Sequence, residues 1–186
     1  MTGIDIAISE FLNNFTGRHF LIDGVFIFFS EYLIYILTGI FLLFIFRIKN
    51  WKERVRALFV GIIGVILSRG IMTPLIRYFF EKQRPFVTLD LNQLVNHSQT
   101  GSFPSGHIAF IVPLVLTLFY INKRAGIWGL IGALMIGIAR VGVGVHWMSD
   151  ILSGFLVGSI GYFIAQALLK LKTPQREIKE LPTESN

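Results

Sequence analysis

The chain contains no cysteine among its 186 residues, and this absence excludes disulfide bonds, a thiolate metal site and a cysteine nucleophile. Charge is also scarce, because Asp, Glu, Lys and Arg together make up only 15% of the residues while 53% are hydrophobic. An ordinary soluble domain is less apolar than this. The composition therefore indicates a membrane protein.

The long uncharged runs predict an all-α integral membrane protein, built as a bundle of about five transmembrane helices. In the second run, Pro74 is expected to kink the helix. The third run is short, so we expect its helix to begin at the turn around Pro104. The fifth is rich in small residues, such as Gly154 and Gly158, that allow close helix packing. The runs cover residues 24–46, 57–80, 108–120, 126–145 and 151–169.

The segments at the two ends of the chain differ from the bundle. Residues 1–20 place Ile4, Ile8 and Phe11 at helical spacing, which predicts a short N-terminal helix lying in the membrane interface. We expect residues 1–170 to form a single transmembrane domain. Residues 171–186 are charged and are expected to form a disordered cytoplasmic tail.

Two ionisable residues, Glu31 and Arg69, fall inside predicted spans. A charge at that depth is costly, so such a residue is usually paired or faces a polar interior. We therefore expect Glu31 and Arg69 either to pair, directly or through water, or, in the case of Glu31, to line a substrate pocket.

Basic segments alternate with the other connections along the chain, at residues 47–56, 123–124 and 170–179. A basic run can bind nucleic acid, but between two spans it indicates orientation, because cytoplasmic loops carry an excess of Lys and Arg. The three segments are therefore assigned to the cytoplasm. The N-terminal helix, the polar loop 81–105 and the turn 146–150 then lie together on the outer face.

Three polar groups would meet at that face: Arg77 with Arg84 and Pro85; residues 104–107; and Arg140 with His146 and Asp150. Each has a structural explanation when taken alone. Arginines near a helix end can extend to the lipid headgroups, a lone histidine can be structural, and a carboxylate can cap a helix. Taken together, the groups indicate a chemical site.

The residue types in these groups suit a phosphate. Arg77, Arg84 and Arg140 offer planar forks of N–H donors that match phosphate oxygens. Gly106 would allow close backbone approach, and Ser105 would add a hydroxyl donor or cap the helix that follows.

The two histidines and the aspartate can supply the reaction itself. Asp150 follows His146 by four residues, so its carboxylate can hold one ring nitrogen and orient the other as a nucleophile. His107 is then left as an acid for the departing oxygen. We expect no metal and no cofactor, since the arginines would take the charge-stabilising role.

These groups, in this order, resemble the type 2 phosphatidic acid phosphatase superfamily. Its signatures are a lysine six residues before Arg-Pro, then Pro-Ser-Gly-His, then Ser-Arg with a histidine after five residues and an aspartate after three more. The match runs from Arg77 to Asp150. Arg77 replaces the family lysine and Ala139 replaces the serine, but both histidines and the aspartate are present.

The resemblance implies a metal-independent, multi-pass membrane phosphatase of lipid phosphates that works through a phosphohistidine intermediate. His146 would be the nucleophile, Asp150 its orienting partner and His107 the acid. Arg77, Arg84, Ser105, Gly106 and Arg140 would bind the phosphate.

Size and the first span are similar to the bacterial undecaprenyl-diphosphatases of the bacitracin-resistance type. This implies hydrolysis of undecaprenyl diphosphate on the outer face of a bacterial cell membrane, with the lipid entering from the bilayer and no nucleic-acid partner. Alternatives are a phosphatidylglycerophosphate or broad lipid phosphatase and a non-enzymatic lipid or anion transporter.

Overall fold

The computed structural model describes residues 2–169, and all regular structure within them is helical. The predicted tail, residues 171–186, lies outside the described residues. The helices are α1 Gly3–Asn13, α2 Phe20–Arg47, α3 Trp51–Phe79, α4 Pro85–Thr88, α5 Gly106–Ile121, α6 Lys123–Gly142 and α7 Met148–Leu169.

Four of these helices, α2, α3, α6 and α7, are long and apolar enough to cross a membrane. Helix α5 has 16 residues, about 24 Å at 1.5 Å per residue, and is therefore short for the hydrocarbon layer. It packs against α2, α3, α6 and α7 and is largely buried among them. The prediction of a helical membrane bundle is confirmed. Helix α5, which corresponds to the short third run of the sequence, lies at the centre of the bundle.

Several helix boundaries differ from the sequence prediction by three residues or more, and two of them have a clear local cause. Helix α3 begins at Trp51, so most of the basic segment 47–56 is helical; the Asn50 side chain caps it by accepting from the backbone N–H groups of Lys52 and Glu53. Helix α6 ends at Gly142, three residues early, because Gly144 adopts a φ of 79° and turns the chain.

Both α2 and α3 contain a wider, π-helical stretch, over Phe28–Tyr32 and Ile66–Met72. The second stretch ends just before the Thr73–Pro74 pair, at the position where the sequence predicts a kink. Each stretch carries one of the two ionisable residues expected inside spans, Glu31 and Arg69. Such stretches occur frequently at functional sites.

Helix α7 approaches its neighbours closely through glycines, as predicted. A β-carbon on Gly158 would lie 2.7 Å from the β-carbon of Val112 in α5, and one on Gly161 would lie 2.7 Å from the carbonyl oxygen of Gly64 in α3. The Ser68 hydroxyl joins α3 to α5 by donating to the Ala109 carbonyl at 2.7 Å. These contacts fix α5 and α7, which both begin at the same end of the bundle.

Helix α1 contacts α6 and α7 and is amphipathic as predicted, but its polar face is turned toward the protein. Asp5, Ser9 and Asn13 are buried, whereas Ile4 and Phe11 are exposed. Exposed apolar side chains beside a membrane bundle suit a helix seated in the interface.

Candidate active site

The three polar groups predicted from the sequence meet at one end of the bundle. They lie at the end of α3, in the loop 80–105 that follows it, at the start of α5, at the end of α6 and at the start of α7. The basic connections at 48–50 and 122–124 lie at the opposite end. Most of the group is removed from solvent: Arg84, Ser105, Arg140, His146 and Asp150 are each at most 1% exposed.

His146 and Asp150 face each other across the first turn of α7. The ring Nδ1 of His146 lies 3.4 Å from Asp150 Oδ2, and the same oxygen accepts from the Trp147 backbone N–H at 2.9 Å. An ionised Asp150 therefore favours the tautomer with the proton on Nδ1. That leaves Nε2 without a proton, which is the state that a nucleophile requires.

The pKa of His146 supports the same assignment. Complete burial and the charges of Arg140 and Arg84 hold this pKa well below the usual value, so the ring is neutral at physiological pH. His97, in the loop before α5, lies with its ring centre 6.4 Å from that of His146. The His97 side chain is exposed at one side, but partial desolvation of its ring and the charges of Arg84 and Arg140 lower its pKa to about 4.

Arg84 contacts both the backbone of the surrounding loops and the candidate nucleophile. Its guanidinium donates to the carbonyl oxygens of Ser98 at 2.7 Å and Val145 at 2.6 Å. Its Nη1 also lies 3.5 Å from His146 Nε2. Burial and the charges of Arg140 and Arg77 lower the pKa of Arg84 to about 10, so it remains cationic at neutral pH.

Arg140 lies between His107 and Glu31. Its Nη1 is 3.2 Å from His107 Nε2 and 2.8 Å from Glu31 Oε1. A guanidinium only donates, so His107 Nε2 is the acceptor in this arrangement. Glu31 was expected either to pair with Arg69 or to line a substrate pocket. In the structure Glu31 does form an ion pair, but its partner is Arg140 and not Arg69.

Buried donors without a partner are concentrated in the predicted phosphate site. Within residues 2–169, buried side-chain polar atoms that lack a hydrogen-bond partner are Ser9 Oγ, Arg77 Nε, Ser105 Oγ, and Nε and Nη2 of Arg140. All but one belong to residues that the sequence assigned to phosphate binding. Buried polar groups are normally satisfied, so this cluster of donors marks a place for an anion.

Ser105 and Gly106 differ in detail from the sequence prediction. Ser105 stands at the capping position of α5, but its hydroxyl makes no capping hydrogen bond. A β-carbon on Gly106 would lie 2.7 Å from Arg69 Nε, so the glycine leaves room for the Arg69 side chain. Long-range packing of this kind is not visible in a motif.

A pocket of about 250 Å³ adjoins the site on the side of His107. Its lining comes from α2, α3 and α5 and includes Thr38, Arg69, Gly106, His107 and Phe110. The walls thus combine apolar side chains of membrane-spanning helices with one cation and one candidate acid. Within the described residues, Arg69 has no acidic partner.

The sequence did not indicate two further charged residues at the site, Lys82 and Asp5. Lys82 Nζ donates to Asp150 Oδ1 at 2.9 Å, and Asp5 accepts from the Ser149 backbone N–H at 2.9 Å. Lys82 lies in the polar loop and Asp5 in the N-terminal helix, so no local spacing relates them to Asp150. For Asp5, the only signal in the sequence was a carboxylate on the inner face of α1.

Comparisons with known proteins agree with this geometry. The sequence profile of the PAP2 superfamily matches residues 58–174, more than half of the chain. The chain is similar to undecaprenyl-diphosphatase BcrC of Bacillus subtilis (strain 168), with 27% identity over 162 residues that cover 87% of this chain and 82% of the relative.

Two solved membrane proteins have a similar fold. The crystal structure of Aquifex aeolicus LpxE matches with a TM-score of 0.73 and 29% identity, over 89% of this chain and 96% of that one. A transmembrane PAP2 type phosphatidylglycerolphosphate phosphatase from Bacillus subtilis matches with a TM-score of 0.59 and 25% identity, over 90% and 86%.

Proposed function

The chain belongs to the PAP2 superfamily of lipid phosphatases, and we propose that it hydrolyses undecaprenyl diphosphate to undecaprenyl phosphate and inorganic phosphate. This reaction recycles the carrier lipid of cell-wall synthesis and would confer bacitracin resistance. Similarity to BcrC over most of both chains supports the choice of substrate.

One observation carries the proposal: Arg77, Ser105 and Arg140 have buried donors without a partner at the same end of the bundle as the two histidines. They form an anion site that is assembled before any substrate arrives. We assign the transferred phosphoryl group to these donors, with Arg84 and Gly106 at its edge. Their positive charge would take the role that a metal ion has in other phosphatases, so EDTA should leave activity intact.

The reaction would proceed in two displacements. The lone pair of His146 Nε2 forms a bond to the terminal phosphorus while the bond from that phosphorus to the bridging oxygen breaks. His107, in its protonated imidazolium form, gives one proton to the departing oxygen and becomes neutral, and Asp150 stabilises the charge that forms on the His146 ring. Water then attacks the phosphorus of the phosphohistidine and gives a proton to the neutral His107. The bond from phosphorus to His146 Nε2 breaks, phosphate leaves, and both histidines return to their starting state.

The pocket beside His107 favours a diphosphate among the lipid phosphates. His107 would serve the leaving group, so the leaving group would occupy the space lined by Thr38, Phe110 and Arg69. When a lipid diphosphate is cleaved, the leaving group is a lipid phosphate that carries negative charge. Arg69, a cation without an acidic partner among the described residues, would stabilise that charge, whereas the alkoxide of a simple phosphate ester depends mainly on His107.

A panel of lipid phosphates at equal concentration in detergent tests the substrate. We expect undecaprenyl diphosphate to give the highest kcat/KM, and Arg69→Gln to lower this value more than the value for an undecaprenyl monophosphate. Arg18→Gln, at an exposed position near the same end, is the matched control. A higher kcat/KM for phosphatidylglycerophosphate would favour the main alternative, and absence of phosphate release from every lipid would favour a transporter.

For its location we propose the bacterial cell membrane, with the active site on the extracytoplasmic face. The basic connections at the opposite end of the bundle support this orientation. A single domain over residues 1–170, with the lipid entering sideways from the bilayer, completes the proposal.

A further inference from the structure

The N-terminal helix α1 presents a carboxylate to the active site although it lies outside the part of the chain that the family profile matches. Asp5 is 4% exposed and accepts from both the backbone N–H and the hydroxyl of Ser149, each at 2.9 Å. Ser149 belongs to the first turn of α7, whose free N–H groups attract negative charge. Asp5 therefore caps α7 from another helix. The residue that it contacts, Ser149, directly precedes Asp150.

Lys82 connects this carboxylate to Asp150. Its Nζ donates to Asp150 Oδ1 and to Ser149 Oγ, both at 2.9 Å, and lies 4.0 Å from Asp5 Oδ2. The ammonium group also lies 5.6 Å from the ring centre of Trp147, within the range of a cation–π contact. Lys82 is thus held on several sides while its charge is directed at Asp150.

The two carboxylate oxygens of Asp150 therefore have different partners. Oδ1 accepts from Lys82, whereas Oδ2 accepts from the Trp147 backbone N–H and faces His146 Nδ1. A buried carboxylate without a partner charge tends to take up a proton. The charge of Lys82 opposes this and favours the ionised form of Asp150, in which Oδ2 is an acceptor for the imidazole.

Asp5 in turn remains ionised beside Lys82. Burial works against its charge, but the hydrogen bonds from Ser149 and the charge of Lys82 outweigh burial and hold the pKa of Asp5 below its usual value. The chain of contacts runs from Asp5 through Lys82 to Asp150 and ends at His146.

We propose that Lys82 and Asp5 are positioning residues for phosphoryl transfer, and that α1 is part of the active site. Lys82 sets the charge and orientation of Asp150, and Asp5 fixes Lys82 and the start of α7. The inference rests on the proposed function, since it takes His146 as the nucleophile. Neither residue forms a hydrogen bond or an ion pair with Arg77 or Arg140, so both should affect kcat rather than substrate binding.

The test compares steady-state kinetics of Lys82→Met, Lys82→Arg and Asp5→Asn in detergent. We expect Lys82→Met to lower kcat about 10- to 100-fold, by analogy with the effect of removing the outer partner of a metal ligand. KM should stay unchanged, Lys82→Arg should recover most of the loss, and Asp5→Asn should cause a smaller fall. Asp5→Asn should add little in the Lys82→Met background, because both act through Asp150.

Glu81→Gln and Glu10→Gln are the matched controls, as each removes a charge from an exposed side chain next to Lys82 or on α1. Unchanged kcat in Lys82→Met would overturn the inference, as would a Lys82→Arg variant no better than Lys82→Met. If Lys82→Met is not recovered as folded protein, unchanged kcat in Asp5→Asn overturns it. A wild-type protein that releases no phosphate from any lipid would instead refute the proposed function.

Discussion

Arg140 shows how single residues in this site combine structural and chemical tasks. One nitrogen of its guanidinium, Nη1, lies against Glu31, Ser30 and His107, while Nε and Nη2 are buried without a partner. Burying donors without acceptors is costly. The ion pair with Glu31 offsets part of that cost, so Glu31 holds the free side of Arg140 toward the phosphate site.

Replacing Glu31 should therefore affect stability through Arg140. We expect Glu31→Gln to lower the free energy of unfolding by about 1–2 kcal/mol, since a charge-assisted hydrogen bond to a partly exposed group is lost. In a double-mutant cycle, Glu31→Gln and Arg140→Gln should be strongly coupled, whereas Glu31→Gln and Arg69→Gln should add within about 0.5 kcal/mol. Thermal unfolding in detergent measures both cycles. Coupling to Arg69 alone would show that the pair is assigned to the wrong arginine.

The histidines at the site should make stability depend on pH. The pKa of His97 is about 4 in the folded protein and that of His146 is also lowered, whereas an unfolded histidine titrates near 6.5. Below about pH 6.5 the unfolded chain binds more protons than the folded chain, so stability falls as pH drops, by up to about 1.4 kcal/mol per pH unit for the buried His146 and by less for the exposed, solvent-screened His97. His97→Gln should reduce this slope, and His19→Gln, on the exposed segment before α2, is its control. A slope that His97→Gln leaves intact would contradict the assignment.

At the scale of elements, the site depends on how closely α5 and α7 approach. Both helices begin at the site, and the Ser105 backbone N–H donates to the Asp150 carbonyl at 3.0 Å, which joins the two starts. Gly154 allows this contact, because a β-carbon there would lie 2.9 Å from the Ser105 carbonyl oxygen. Packing along the helices therefore sets the distance between the phosphate donors and His146.

A larger side chain at Gly158 should separate the two helices. Its β-carbon would lie 2.7 Å from that of Val112, so we expect Gly158→Leu to cost about 1–3 kcal/mol of stability and to lower kcat as well. Gly39→Leu on α2 is the control, since a β-carbon there meets no atom within 4 Å. Thermal unfolding and phosphate release measure the two effects. Full activity in Gly158→Leu would show that the site tolerates movement of α7.

The sequence could predict these elements where the signal is local. Hydrophobic runs reveal the spans, and the small residues of α7 reveal its packing face. The π-helical stretches, the pairing of Glu31 with Arg140 and the contact of Arg69 with Gly106 could not be predicted. They depend on the relative rotation of helices that are distant in sequence, and no periodicity records it. Lys82 and Asp5 were missed for the same reason, as they meet Asp150 only after folding.

At the scale of the whole molecule, the charge distribution gives the bundle two distinct ends. One end carries the phosphate donors and α1, and the other carries the basic connections at 48–50 and 122–124. The difference between the two ends follows from chain order. Successive spans run in opposite directions, so every second connection lies at the same end of the bundle.

Cysteine labelling tests which end of the bundle faces the outside of the cell. The chain has no cysteine, so single introduced cysteines are unambiguous reporters. In whole cells, an impermeant thiol reagent should label Asp90→Cys, in the loop before α5, and should spare Lys123→Cys, at the start of α6; both positions are exposed. Labelling after membrane disruption shows that both thiols can react. The reverse pattern in intact cells would place the active site in the cytoplasm.

The central claim is that His146 attacks phosphorus and His107 protonates the leaving group, and the first turnover of p-nitrophenyl phosphate tests it most directly. p-Nitrophenolate leaves with little need of a proton, so His107→Ala should still form the phosphoenzyme and release a burst, followed by slow turnover. His146→Ala cannot form the intermediate and should release no burst. A burst in His146→Ala that is absent in His107→Ala would contradict the account and exchange the two roles.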